Sequence, residues 1–226
     1  MTDIEELRRR HDLLITRLRL VAEANGNDPM ALRIVGVTKT HPIDVARAAL
    51  AAGIGRLGES RVQEAEPKIR AIPSAEWHFV GRLQSNKVRR AVRAFEVLHS
   101  VDSAALLAQL LRVSAEEGRN PRLLIQVNMT GEAAKGGMTP EALLAMAGEI
   151  RGRSVIGLMT IARMGAPGEE ARATFRRLRE LRDRVREASG EPLEELSMGM
   201  SDDAEAAAAQ GATLVRIGTA LFGPRA

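Results

Sequence analysis

Ile34-Val35-Gly36-Val37-Thr38-Lys39-Thr40 is a short apolar, β-branched run, about one strand long, with a lysine near its C-terminal end. His41-Pro42 follow, and Ile43 to Gly53 reads as an amphipathic, alanine-rich helix closed by glycine. Alternation puts Val35, Val37 and Lys39 on one face of the strand. If that face lines a barrel, an amine stands at the rim of an apolar cavity. Burial there disfavours the charged form and leaves a nucleophile able to attack a carbonyl. A lysine ending a strand is also read as a solvated rim charge, so the rest of the chain has to decide.

The same strand–helix alternation runs through the chain. Before it, Ile4 to Asn25 reads as a charged helix with Ile4, Leu7, Leu14, Leu18 and Val21 on one apolar stripe. Further strands are expected over 56–60, 77–81, 97–101, 122–128, 155–161, 195–198 and 213–217. Helices are expected over 62–71, 86–94, from a cap at Asp102 or Ser103 to 117, after Pro140, over 169–189 and over 202–210. A last helical turn covers 219–222. Eight strand–helix units suit an α/β fold, a single (β/α)8 TIM barrel over residues 1–226. The extra N-terminal helix would cover the bottom of the barrel or pack on its side. A doubly wound sheet is the competing fold, but no break in composition divides the eight strands.

Composition narrows the function. Hydrophobic residues make up 45% and charged residues 27%, which is globular. With no cysteine, disulfides and thiolate metal sites are excluded. Met1 to Arg10 has no apolar segment of the secretory kind, and no run of about 18 apolar residues exists. The cytoplasm is the expected setting, with no membrane partner. The formal charge is +4, yet acids interleave the arginines of 172–186 at helical spacing, as on a solvated face. Lys87, Arg89, Arg90 and Arg93 on one helix read the same way. Aromatic residues are only 2% and tyrosine is absent, so bases would find few stacking platforms and no nucleic-acid partner is expected.

In such a barrel the strand C-termini converge on one face. Lys39, Ser60, Gly81, Asp102, Asn128, Ile161, Gly199 and Gly218 would lie near that rim. The seventh strand runs into Ser197-Met198-Gly199-Met200-Ser201-Asp202 and the eighth into Arg216-Ile217-Gly218-Thr219. Two such loops form the usual phosphate position of this architecture. Backbone N–H groups of Gly218 and Thr219, with the hydroxyls of Ser201 and Thr219, would cradle a dianion. Each loop alone reads equally well as a tight turn. Arg216 alternates inward with Leu214 and Gly218 and needs a partner. That partner is either an internal carboxylate, Glu59 being the candidate, or the ring nitrogen of a cofactor. A lysine for a Schiff base, a phosphate cup and an arginine for the ring together indicate pyridoxal 5′-phosphate. His78 reads first as a hydrogen-bonded core residue, and His41, His78 and His99 are too scattered to suggest a metal. Met198 and the other methionines around it read as pliable packing near the cavity.

Several longer motifs point the same way. Val37-Thr38-Lys39, Gly58-Glu59-Ser60-Arg61-Val62-Gln63-Glu64, His78 to Lys87, Ser100-Val101-Asp102, Gly157 to Ile161, Leu196 to Asp202 and Val215 to Gly223 stand in order along almost the whole chain. In these the chain resembles the pyridoxal phosphate homeostasis protein family, also called the YggS/PROSC family. The resemblance implies a barrel like that of alanine racemase, binding pyridoxal phosphate through a lysine Schiff base. It implies a role in vitamin B6 and amino-acid homeostasis, with no firmly assigned reaction. Carried over by position, Lys39 forms the Schiff base, Ser201, Gly218 and Thr219 hold the phosphate, and Arg216 faces the pyridine nitrogen. Ser60, His78 and Met198 are further candidates for contact with the cofactor. The family usually has asparagine where Ser60 stands and commonly an aromatic where Arg61 stands, so Ser60 lacks an amide donor.

The expected function is therefore a carrier or regulator that holds the cofactor reversibly and passes it to apo-enzymes, as a monomer. A two-base racemase needs a second acid, typically tyrosine, on the opposite face of the cofactor, and the chain has none. A guanidinium at the ring nitrogen also leaves the ring a poor electron sink. A weak racemase or related enzyme is the alternative, and a Schiff-base aldolase acting on a sugar phosphate is a second one.

Overall fold

The computed structural model describes residues 3–166 and 168–223. The chain enters through helix α1 (Ile4–Ala24) and then forms eight parallel strands, which close in sequence order into a barrel. These are β1 (Arg33–Val37), β2 (Arg56–Glu59), β3 (Glu76–Phe79), β4 (Val97–Val101), β5 (Arg122–Gln126), β6 (Val155–Met159), β7 (Glu195–Ser197) and β8 (Leu214–Ile217). They are followed in turn by α2 (Ile43–Ala51), α3 (Val62–Ala71), α4 (Val88–Ala94), α5 (Ala104–Glu117), α6 (Pro140–Ala145), α7 (Gly168–Ser189), α8 (Ala204–Ala209) and α9 (Thr219–Phe222). The expected (β/α)8 barrel is the fold.

Local chemistry sets the element ends. Ser103, not Asp102, caps α5 by accepting from the Leu106 N–H, and Thr139 caps α6 with proline at its first turn. Most strands stop one or two residues short of their expected C-terminal ends, where the chain turns into the rim loops. Gly157 marks a close approach: a Cβ there would lie 1.9 Å from the Glu195 carbonyl oxygen, so only glycine lets β6 pair with β7.

The apolar residues form two layers. The larger fills the space between strands and helices, and a separate cluster of Val35, Val97, Leu124, Met159 and Leu214 fills the barrel itself. Full burial of each such side chain is worth about 1.5–3 kcal/mol. α1 packs on the side of the barrel against α2, α8 and α9, burying Leu7, Ile15, Leu18 and Ala22. It covers a flank that the single turn of α9 is too short to protect. The cationic helix α4 is ion-paired: Arg89 with Glu116 and Glu117, Arg90 with Glu66, and Arg93 with Glu117. These arginines tie α4 to α3 and α5. No helix among the described residues is long and apolar enough to cross a membrane.

Candidate functional site

The lysine of the opening stretch sits just past its strand. β1 ends at Val37, and the His41 N–H donates to the Thr38 carbonyl at 3.1 Å, closing a turn with Lys39 and Thr40 at its centre. Thr40 has φ +69°, the left-handed region that a β-branched side chain rarely adopts. Lys39 is half-buried there and lines a cavity of about 380 Å³ at the C-terminal mouth of the barrel.

Five of the expected residues, Lys39, Ser201, Arg216, Gly218 and Thr219, line that one cavity, with His41 beside them. The loop after β7 is held open by Gly199, whose φ is +90°, and by Asp203, which accepts from the Met200 N–H at 2.5 Å. Ser201 Oγ accepts from the Ala220 N–H at 3.3 Å and so bridges the loops after β7 and β8. A Cβ at Gly199 would lie 2.5 Å from the Ala207 Cβ. Gly199→Ala is therefore expected to cost about 3 kcal/mol from strain and overpacking together, measurable by urea unfolding.

Three further candidates lie elsewhere. Met198 is fully buried in the outer layer, because alternation turns Ser197, not Met198, into the barrel. Ser60 lines a neighbouring cavity with Arg61, Gly81 and Arg82. His78 is buried deeper in the barrel, below the cavity.

Arg216 is 6% exposed, and its partner is not Glu59. Glu59 faces the helix layer, where it meets Thr38 and Lys68. Arg216 instead donates from Nη1 to Ser197 Oγ at 2.7 Å and from Nη2 to the Thr160 carbonyl at 3.0 Å. Burial among these neutral acceptors pulls its pKa down to about 10.

Behind Arg216 runs a string of buried hydrogen bonds that joins residues read as scattered in the sequence. Ser197 Oγ lies 2.8 Å from His99 Nδ1, His99 Nε2 lies 2.7 Å from His78 Nδ1, and His78 Nε2 lies 3.1 Å from Glu76. Donor counting fixes its direction. A guanidinium only donates, so the Ser197 O–H is left to donate to His99 Nδ1. His99 then carries its proton on Nε2 and donates to His78, which donates from Nε2 to the Glu76 carboxylate. The reverse order would set a bare ring nitrogen against that carboxylate. Burial pushes both histidine pKa values down, that of His99 well down, and keeps both rings neutral. His78 and Arg122 hold the Glu76 carboxyl down at about 2. Among the described residues no group of three or more His, Asp or Glu is arranged to hold a metal.

The string sets the acid stability. Both histidines have folded pKa values below the ordinary 6.5, so the unfolded chain binds more protons under that pH. Stability is fully present above pH 6.5 and should fall below it, by up to about 1.4 kcal/mol per pH unit for each ring. Glu76, depressed from 4.5, extends the loss at lower pH. Melting temperatures across this range check the expectation, and a flat profile down to pH 5 contradicts it.

The alanine racemase N-terminal domain family matches residues 17–226. The pyridoxal phosphate homeostasis protein of Synechocystis is 42% identical over 203 residues, covering 87% of this chain and 93% of that protein. Its counterpart in Pseudomonas aeruginosa is 42% identical over 216 residues, covering 92% and 91%. This chain belongs to the pyridoxal phosphate homeostasis protein family. PipY of Synechococcus elongatus, solved with PLP bound, superposes with a TM-score of 0.82 at 40% identity, covering 91% of this chain and 98% of that one. Alanine racemase of Corynebacterium glutamicum, at 18% identity and a TM-score of 0.73, shares the fold over 98% of this chain and 62% of its own.

In this family member the sequence reading missed two groups, the His78–His99–Ser197 string and the pair of Lys68 with Glu59. A signal existed for each. His78 and His99 occupy inward positions of adjacent strands, and Lys68 falls on the buried stripe of α3 with Val62 and Ala65.

Proposed function

We propose that this chain binds pyridoxal 5′-phosphate (PLP) and works as a carrier or regulator in vitamin B6 homeostasis, without strong catalysis of its own. One observation carries the reading: a single cavity gathers an amine, two hydroxyl-bearing loops and a guanidinium. The donor set fits the cofactor. Gly218 lines the cavity beside Ser201 and Thr219, and a Cβ there would already stand at contact distance, 3.6 Å, from the Val37 carbonyl oxygen. When bound, PLP supplies an aldehyde that condenses reversibly with an amine. Lys39 is that amine. The Ser201 and Thr219 hydroxyls, with the Gly218 and Thr219 N–H groups, hold the phosphate. Arg216 donates to the ring nitrogen and so leaves it unprotonated.

That last role separates a carrier from an enzyme. An unprotonated ring stabilises a carbanion poorly, and a chain without tyrosine lacks the usual second acid of a racemase. Held at Lys39 by a bond open to an incoming amine or to water, the cofactor would be available to apo-enzymes that depend on it. The same reading has the protein act as a monomer in the cytoplasm. The test is transfer: loaded protein, mixed with an apo-enzyme and a scavenger of free PLP, restores that enzyme's activity, and D- and L-alanine are not interconverted. Racemisation at ordinary enzymatic turnover overturns the carrier reading. A colourless protein that captures a sugar phosphate at Lys39 instead establishes the aldolase.

A further inference from the structure

A second charged group lies directly behind the turn that carries Lys39, on the side away from the cavity. Lys68 is 5% exposed and Glu59 is fully buried. The Lys68 ammonium donates to Glu59 Oε1 at 2.6 Å and to the Thr38 carbonyl at 2.8 Å. The Thr38 hydroxyl donates to the same Oε1 at 2.7 Å. Two of these three bonds therefore end on Thr38, the residue that opens the turn. The other carboxylate oxygen, Oε2, is buried with no hydrogen-bond partner among the described residues.

A buried ion pair of this kind is weak evidence for stability, because an apolar pair of similar volume often serves as well. The unpartnered Oε2 adds to its cost. The contacts with Thr38 give the pair a different use. Its carbonyl takes both the Lys68 ammonium and the His41 N–H, and the next turn residue but one, Thr40, is held at φ +69°. A β-branched residue persists in that region only where its surroundings over-determine it.

We infer that Lys68 and Glu59 form a clamp that holds the strained Thr38–His41 turn, and that they are positioning residues for the Lys39 amine. The inference rests on the reading of Lys39 as the amine that holds PLP. Neither residue lines the Lys39 cavity, so each acts through Thr38.

Lys68→Met alone would strand the Glu59 carboxylate in the core and would report on folding. The informative variant combines Lys68→Met with Glu59→Gln, which removes both charges, keeps the volume and leaves the Thr38 hydroxyl an acceptor. In cofactor-free protein, hydrogen exchange at the His41 amide, whose bond closes the turn, is expected to rise about tenfold while core strand amides keep their rates. Affinity for PLP is expected to fall about tenfold, since a small misplacement of the reacting group is costly. Pyridoxine 5′-phosphate, an alcohol without the aldehyde, is expected to bind both proteins equally. If the double variant does not melt cooperatively, Glu59→Gln alone carries the test, with the same pattern and an effect of about threefold. Unchanged exchange at His41 overturns the clamp. Equal losses of affinity for aldehyde and alcohol overturn it as well, since the whole site would then have loosened. If Lys39→Ala in the otherwise natural chain binds PLP as tightly as its parent, the reading of Lys39 has failed, and His41 exchange alone decides the clamp.

Discussion

Replacing Lys39 by alanine is expected to abolish the visible absorption of PLP-loaded protein and to weaken PLP binding at least a hundredfold, about 2.7 kcal/mol. The side chain is half-buried at a solvent-facing mouth and outside the apolar core, so its truncation should change stability by no more than about 0.5 kcal/mol. A folded protein that keeps the loops after β7 and β8 and Arg216 is expected still to bind PLP, but only through non-covalent contacts. Spectrophotometric titration alongside thermal melting separates the two effects. Retained colour in the variant would move the covalent hold to another lysine. Lost colour with unchanged affinity would mean that the covalent bond adds nothing to binding. The parent must itself be yellow, which distinguishes it from an aldolase whose lysine waits for a substrate.

Ser197→Ala should bring a large loss of stability although it lies outside the apolar core. Its hydroxyl oxygen accepts from Arg216 and its proton satisfies His99, both buried inside the barrel. Removing that one oxygen leaves a guanidinium N–H and an imidazole nitrogen without partners. Each unpaired buried group costs about 1–3 kcal/mol, so a total near 3 kcal/mol is expected. In a chain of this length that lowers the melting temperature by about 6–12 °C. Arg216 keeps its bond to the Thr160 carbonyl, so PLP binding should weaken less than in the Lys39 variant. Ser197→Thr, which restores the hydroxyl, should recover most of the stability. A melt of Ser197→Ala like that of the natural chain would show that water or a shifted side chain satisfies both groups.

Much of this molecule is legible in its sequence. Strand runs such as Ile34–Val37 are apolar and β-branched, helix stripes such as Leu7, Leu14 and Leu18 recur at the helical period, and the alternation of the two leaves few folds to choose from. Lys39, Ser201, Arg216, Gly218 and Thr219 were equally legible, because a barrel brings strand C-termini to one face whatever the side chains between them. These features depend on local period and on architecture, and both are written along the chain.

What period could not reach was pairing across the barrel. That Arg216 would lean on Ser197 and Thr160 and not on Glu59, that His78 and His99 would meet, and that Lys68 would turn inward to Thr38 all depend on register between strands far apart in sequence. Alternation assigns a residue to the inside or the outside of the wall. Its height inside depends on how the strands stagger when the sheet closes, and that stagger decides which polar atoms come within hydrogen-bonding distance. The residues that line the mouth of the barrel are thus set by the sequence, and the polar partners that hold Arg216 and the Lys39 turn are set by closure of the barrel.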